Sequence, residues 1–362
     1  MKYFKPLLCI IAMLFTLLPA QASEEQKEGL DLQGILFGHI QDSYEWHIMD
    51  WGDTPVVIHL PVIVRSSTGW HVFCSSAFEH HADAEGLRQG PYGLAIATKG
   101  DNEGKIVENG TPVLDISITK TVVVLFIDAI LLLLCVLIPA RWCRKHKIDD
   151  PAPKGFTGFM HMFIMYVYHD IIESILGKEA PKYAPYLLTC FFFIFVANVM
   201  GVMPFPPGGG NLTGNIACTL FLAFCTFVIT NVTGTKEYWK EIFWPDVPTW
   251  LKAPVPLMPF IELFGIFTKP LALMIRLFAN MMAGHAIAIS LTCLIFVMYG
   301  IHAVAGVAMV PVSVAMSIFM MLLEVLVCFI QAMVFTMLSA VFISLAHVHE
   351  HEAVVKEEVT KK

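Results

Sequence analysis

The stretch 263–346 constrains this chain most. It runs for 84 positions with only three formal charges, Lys269, Arg276 and Glu324. A hydrocarbon core of ~30 Å is crossed by about 20 helical residues, so the block is far longer than one crossing. Gly300 marks the expected turn. It leaves two runs of about forty residues, each ~60 Å long as a helix. Two continuous helices of that length must tilt strongly in a bilayer. The alternative is that each breaks into a spanning piece and a surface piece. Pro311 permits such a break in the second run, while no proline interrupts 271–310, which favours tilt.

The rest of the composition agrees. Of 362 residues, 56 % are hydrophobic and 15 % charged, against roughly 25 % charged in soluble domains. The mean hydropathy is +0.67. Such a chain is not disordered. Its net charge of −7 argues against a nucleic-acid partner, which calls for a basic face. A polytopic membrane protein with a soluble part remains. The negative charge is local: residues 23–118 hold fifteen acids and five bases, and the remainder is nearly neutral.

Lys2 and Lys5 precede an apolar run, Leu7–Leu18, and then Pro19-Ala20-Gln21-Ala22. This reads as a signal peptide over 1–22, with an uncleaved anchor as the alternative; in both cases the chain from 23 onward lies outside the cytoplasm. Residues 23–118 read as a small β-rich extracytoplasmic domain. Strands are expected at Gly34–Ile40, Tyr44–Met49, Val56–Val64, Trp70–Cys74, Tyr92–Ala97 and Val113–Ile118. Cys74 is the one cysteine there, so no disulfide forms within it. His80-His81-x-Asp83-x-Glu85 lacks a fixed ligand spacing and is read as a solvated acidic loop rather than a metal site.

A membrane domain is expected over 119–347, with about five crossings and a cytoplasmic tail at 348–362. Thr121–Ala140 contains one acid, Asp128, and is followed by Arg141, Arg144, Lys145 and Lys147. By the positive-inside rule it runs from outside to inside. Asp128 is open to two readings, a channel residue or a snorkelling side chain. Residues 155–178 mix aromatic and polar groups in the manner of an interfacial helix. Tyr186–Met203 then crosses outward, Pro204–Asn211 turns, and Ile216–Val232 returns. Tyr238–Pro259 is again interfacial in character, and His347-x-His349-Glu-His351 reads as solvated tail.

Charges inside a membrane are rare and usually functional. On an ideal helix Asn280, Lys269 and Glu262 all lie within about 40° of Arg276, whereas His285 sits about 180° away. Glu324 and Gln331 share a face of the second run. Arginine keeps its proton, so Arg276 attracts and releases a passing carboxylate without relaying protons. Histidine and glutamate exchange protons when their surroundings shift them. The bland alternatives are a structural Arg276–Glu324 ion pair and a helix–helix hydrogen bond for His285.

At these residues the chain resembles the a subunit of the F-type ATP synthase membrane sector. The likeness spans about 120–350. It is carried by Arg276-Leu-Phe-Ala-Asn280-Met-Met-Ala-Gly284, by Glu262 and Lys269-Pro270 upstream, and by the run from Gln331 to His347. The resemblance implies that the two long helices form a tilted hairpin against a rotating ring of c subunits. Arg276 would face the ring carboxylate and block a proton short circuit. His285, Glu324, Gln331, Asn198 and Asn215 would line the outer half-channel, and Glu262 with Asn280 the cytoplasmic one, with Lys269 a structural anchor. Partners would be the c ring, the b subunits of the peripheral stalk, the F1 catalytic sector and the lipid membrane. The membrane would be the bacterial inner membrane. No cofactor or metal is implied, and the chain is not an enzyme by itself. Two departures stand out. Many bacterial members carry an acid at 285 and a histidine at 324, here exchanged, and many carry an acid where Gly201 stands. A secondary transporter or ion channel with a β-rich ectodomain is the competing reading, but no internal repeat supports it. A sensor or assembly factor would leave the buried polar residues without a purpose, and no phosphate-cradling Gly-rich motif is present.

Overall fold

The structure, a computed structural model, describes residues 42–51, 54–79, 82–83, 86–100, 102–147, 151–203, 210–244 and 257–347. The expected signal peptide, the strand Gly34–Ile40, most of the His80–Glu85 motif, most of the Pro204–Asn211 turn and the tail from 348 lie outside these residues. The described chain has an N-terminal β-rich region followed by a bundle of long helices.

Among the described residues, nine short strands form three antiparallel sheets. They are β1 (Glu45–Trp51), β2 (Thr54–His59), β3 (Pro61–Ser66), β4 (Gly69–Cys74), β5 (Leu87–Gln89), β6 (Leu94–Ala97), β7 (Ile106–Glu108), β8 (Thr111–Pro112) and β9 (Leu114–Asp115). β1 pairs with β2, β3 lies between β4 and β9, and β5-β6-β7-β8 form a meander. Along β3, Val62 and Val64 point inward to a core with Tyr44, Phe78, Leu94, Ile96 and Ile106, the period-2 burial that a one-faced strand requires. Burial pushes the Tyr44 hydroxyl far above the usual phenol range, helped by the adjacent Asp115 carboxylate to which it donates. The single strand expected over Val56–Val64 is two strands. Pro61 has no N–H for a continuing ladder, and Leu60 turns inward, its N–H donating to Ser75 Oγ at 3.1 Å. Strands β5, β7 and β8 are too short for the pattern to mark them. Cys74 is free and exposed.

Among the described residues, five helices are long and apolar enough to cross a membrane. Helix α1 is Lys120–Lys145. Helix α2 (Gly155–Tyr166) continues through a π-helical turn, Val167–Glu173, and short helical turns toward α3 (Ala180–Val202). Helix α4 is Ile216–Thr233 and α5 is Lys236–Phe243. The long apolar block forms α6 (Leu257–Ile301, 45 residues) and α7 (Ala303–Leu345, 43 residues). Neither breaks: Pro311 sits inside α7, and Gly300 lies within α6. The turn falls instead at His302, whose imidazole accepts from Val304 N at 3.3 Å. The segment 155–178 buries Met160, Val167, Ile171, Ile172 and Leu176 in the main core. There the ring of Phe163 meets those of Phe191, Phe192 and Phe195 at centroid distances of 5.5 Å, 5.4 Å and 5.6 Å. All three contacts are edge-on, the arrangement that ring quadrupoles favour.

The β-rich region is fastened to the bundle at the start of α1. Lys120 N donates to Ser43 O at 2.9 Å and Thr121 N to Asp42 Oδ1 at 3.0 Å, which satisfies two of the open N–H groups of the helix. Trp46 packs in one cluster with Val124, Ala197 and Leu212.

The β7–β8 hairpin turns on Asn109 and Gly110, whose φ angles are both positive, 51° and 79°. Two successive positive φ angles are the signature of a type I′ turn. Gly110→Val should therefore destabilise the β-rich region by ~1–2 kcal/mol. Limited proteolysis of the full chain should show faster cleavage there and unchanged helices.

Candidate functional site

The polar residues of α6 and α7 fall into three levels. At one end Lys269 is exposed, its Nζ 5.9 Å from the centre of the Phe342 ring. This is a cation–π contact between the two helices. Glu262 is half-buried beside Tyr238 of α5. Burial raises the Tyr238 phenol above its usual range, and the Glu262 charge adds to the rise. At the middle level Asn280 Nδ2 donates to Gln331 Oε1 at 2.7 Å, joining the helices one turn from Arg276. Arg276 itself is exposed. Ala272, Ala279 and Ala283 share its stripe with Lys269 and Asn280. Among the described residues Arg276 makes no ion pair, which removes the structural Arg276–Glu324 alternative.

The Glu324 carboxylate goes elsewhere. Its Oε1 lies 3.0 Å from His285 Nδ1. His285 Nε2 lies 3.1 Å from Gly201 O on α3. A carbonyl only accepts, so Nε2 carries a hydrogen and donates. Nδ1 and Oε1 stand at ion-pair distance, and neither has a partner of hydrogen-bond geometry among the described residues. Gly284 makes the approach possible, since a Cβ there would lie 2.6 Å from Glu324 Oε1.

Asn198 is fully buried on α3 and its Oδ1 accepts from Thr213 Oγ1 at 2.5 Å. Asn215 serves differently from the other expected channel residues: its Oδ1 accepts from Ala217 N at 3.0 Å and caps α4. The structure thus brings together His285 with Glu324, Asn280 with Gln331, and Asn198 with Thr213, while Glu262 and Lys269 lie at another level.

Sequence reasoning misses several of these partners. Gly284 closes the strongest motif but carries no chemistry of its own. His347 reads in the sequence as part of a solvated tail; it is buried, its Nε2 3.1 Å from the Tyr183 hydroxyl and its Nδ1 2.8 Å from Ile343 O. His349 and His351 lie outside the described residues. A second polar line, Tyr186–Thr226–Ser339, crosses from α3 through α4 to α7 at 2.7 and 3.3 Å.

The profile of the family described as ATP synthase A chain matches residues 122–344. That is more than half of the sequence. The chain belongs to this family. Among curated relatives, ATP synthase subunit a of Chlorobium phaeobacteroides (strain DSM 266) is 41% identical over 255 residues, covering 69% of this chain and 70% of that protein. ATP synthase subunit a of Myxococcus xanthus is 42% identical over 248 residues, covering 66% and 76%. The helical bundle is thus that of an ATP synthase a subunit, a multi-pass protein of the membrane sector. Residues 35–121 match a separate profile, described as a domain of unknown function (DUF8433).

The close approach at Gly284 gives a direct test of the pair in this a subunit. Gly284→Ala should push the Glu324 carboxylate off His285. A high-resolution map of the variant complex should show the Nδ1–Oε1 separation beyond ion-pair reach with α6 and α7 otherwise in place.

Proposed function

We propose that this chain is the stator channel of a proton-driven F-type ATP synthase. It provides two offset half-channels to a rotating c ring and thereby couples proton flow to ATP synthesis on partner subunits. The observation that carries this reading is the exposed Arg276 on α6, without an ion-pair partner among the described residues, on a helix long enough to cross a bilayer. A permanent cation in such a place is costly unless something brings it a negative charge. A carboxylate on a neighbouring rotor supplies one: attracted, it loses its proton; carried past, it takes up another.

In this reading the β-rich region lies outside the cytoplasm and the C-terminal tail within it. Protons arrive through the outer half-channel along Asn198 and the His285–Glu324 pair toward Gln331. The close contact of imidazole and carboxyl suits a relay, because a proton taken up at His285 lets Glu324 pass one onward. Glu262, with Asn280, belongs to the route on the cytoplasmic side, and Lys269 anchors α6 to α7 there. Asn215 acts by holding the start of α4. Partners are the c ring, the b subunits of the stalk and the F1 sector. The chain binds no nucleotide itself.

Two variants test the reading. Arg276→Ala should abolish proton-coupled ATP synthesis while the complex still assembles, measured as synthesis in energised vesicles beside a co-purification inventory; retained coupling would sink the mechanism. His285→Glu with Glu324→His should keep more synthesis than either single change. A double variant no better than the worse single would show that the two residues do not act as a pair.

A further inference from the structure

We propose that Asp128 is a proton-binding relay group of the outer half-channel, standing between the extracytoplasmic side and the His285–Glu324 pair. The proposal rests on the channel reading above and adds a residue from α1, a helix that reading does not use.

Most of α1 faces away from the rest of the chain. Phe126, Ile130, Leu133, Leu134 and Leu137 are exposed, whereas only Val124, Asp128 and Pro139 are buried. The helix therefore turns its single membrane acid inward, which settles the choice between a snorkelling and an interior side chain. Asp128 lies about 12 Å along α1 from its first residue. It is 1 % exposed, and among the described residues neither carboxylate oxygen has a hydrogen-bond partner.

The surroundings point to a shared polar wedge. Val124, one turn before Asp128 on the same stripe, packs in one cluster with Ala197 and Leu212, and Cys218 adjoins it. Cys218 on α4 is near enough to feel the Asp128 charge. Asn198 follows Ala197 on α3, and its Nδ2 is also buried without a partner. Two bare acceptors and a bare donor thus occupy neighbouring helices under the 210–215 loop. Three residues along α3 from Asn198, the Gly201 carbonyl takes the His285 hydrogen bond.

An unpaired carboxylate in an apolar interior is costly, and binding a proton removes the cost. The step balances simply. Hydronium gives its proton to the Asp128 carboxylate, leaving water and a carboxylic acid. The acid passes that proton, through water held by the bare Asn198 amide, to the open Nδ1 of a neutral His285 imidazole beside a protonated Glu324. Asp128 returns to carboxylate as His285 becomes imidazolium. Glu324 gives its own proton onward in the same step, so the pair again holds one.

The intact complex in vesicles tests this, with rates normalised to assembled complex. Asp128→Asn keeps shape and hydrogen bonding but cannot carry a proton. It should lower passive proton flux and ATP synthesis about tenfold. Asp128→Glu should stay within about twofold of the parent. Added formate should partly restore Asp128→Ala, which a structural role would not allow. Unchanged flux in Asp128→Asn, or equal damage in Asn and Glu variants with no formate rescue, would overturn the proposal. Arg276→Ala separates the two readings: if it abolishes coupling while Asp128→Asn conducts normally, the relay fails and the channel stands; if coupling survives it, the channel reading itself fails.

Discussion

One close contact, His285 against Glu324, organises the middle of this molecule. In a hydrocarbon setting no water stands by to satisfy a stray donor or acceptor, so each polar side chain needs a partner or a task. The His285 Nε2 hydrogen is committed to the Gly201 carbonyl, and Nδ1 is left facing the Glu324 carboxylate at 3.0 Å. The packing around it follows. Gly284 has no Cβ because the carboxylate occupies that space, and α3 lies close enough for its backbone oxygen to fix the imidazole.

Separation matters as much as contact. Arg276 and His285 are nine residues apart, half a turn round and about 14 Å along α6. The permanent cation therefore stands clear of the His285–Glu324 contact. Between them the Asn280–Gln331 hydrogen bond ties the two helices with neutral groups. A neutral amide pair holds the geometry without placing a further charge between the two ends.

Most of the bundle is legible because its signal is one of length. An 84-residue block with three charges has few ways to fold, and the stripes through Arg276 and Glu324 follow from helical spacing alone. The failures have physical causes. Gly300 looks like the turn in the sequence, but a helix tolerates glycine, and the imidazole cap at His302 decides the turn. The Val56–Val64 run hides a corner because apolar continuity outweighs Pro61, the local sign against a strand there. His347 resembles a polar tail because its neighbours in sequence are charged, while its partner Tyr183 lies 164 positions away. Asn215 carries the right chemistry for a channel, and an asparagine just before an apolar helix is also a cap, the contact its Oδ1 makes with Ala217 N.

The rotation of α1 joins the β-rich region to the same physics. A helix this apolar, with a smooth face on most sides, has little of its own to choose which stripe points inward. The choice is made at its first turn. Asp42 and Ser43 take up the N–H groups of Thr121 and Lys120, and Val124 wedges against Gly210, where a Cβ would lie 2.3 Å from Val124 Cγ2. Asp128 is one turn further along the stripe that this contact buries. Turned by a single residue, about 100°, the helix would carry the carboxylate out of the wedge it shares with Asn198. The β-rich region is thus more than an appendage: by capping α1 it fixes the rotation that keeps the acid among protein groups rather than lipid tails.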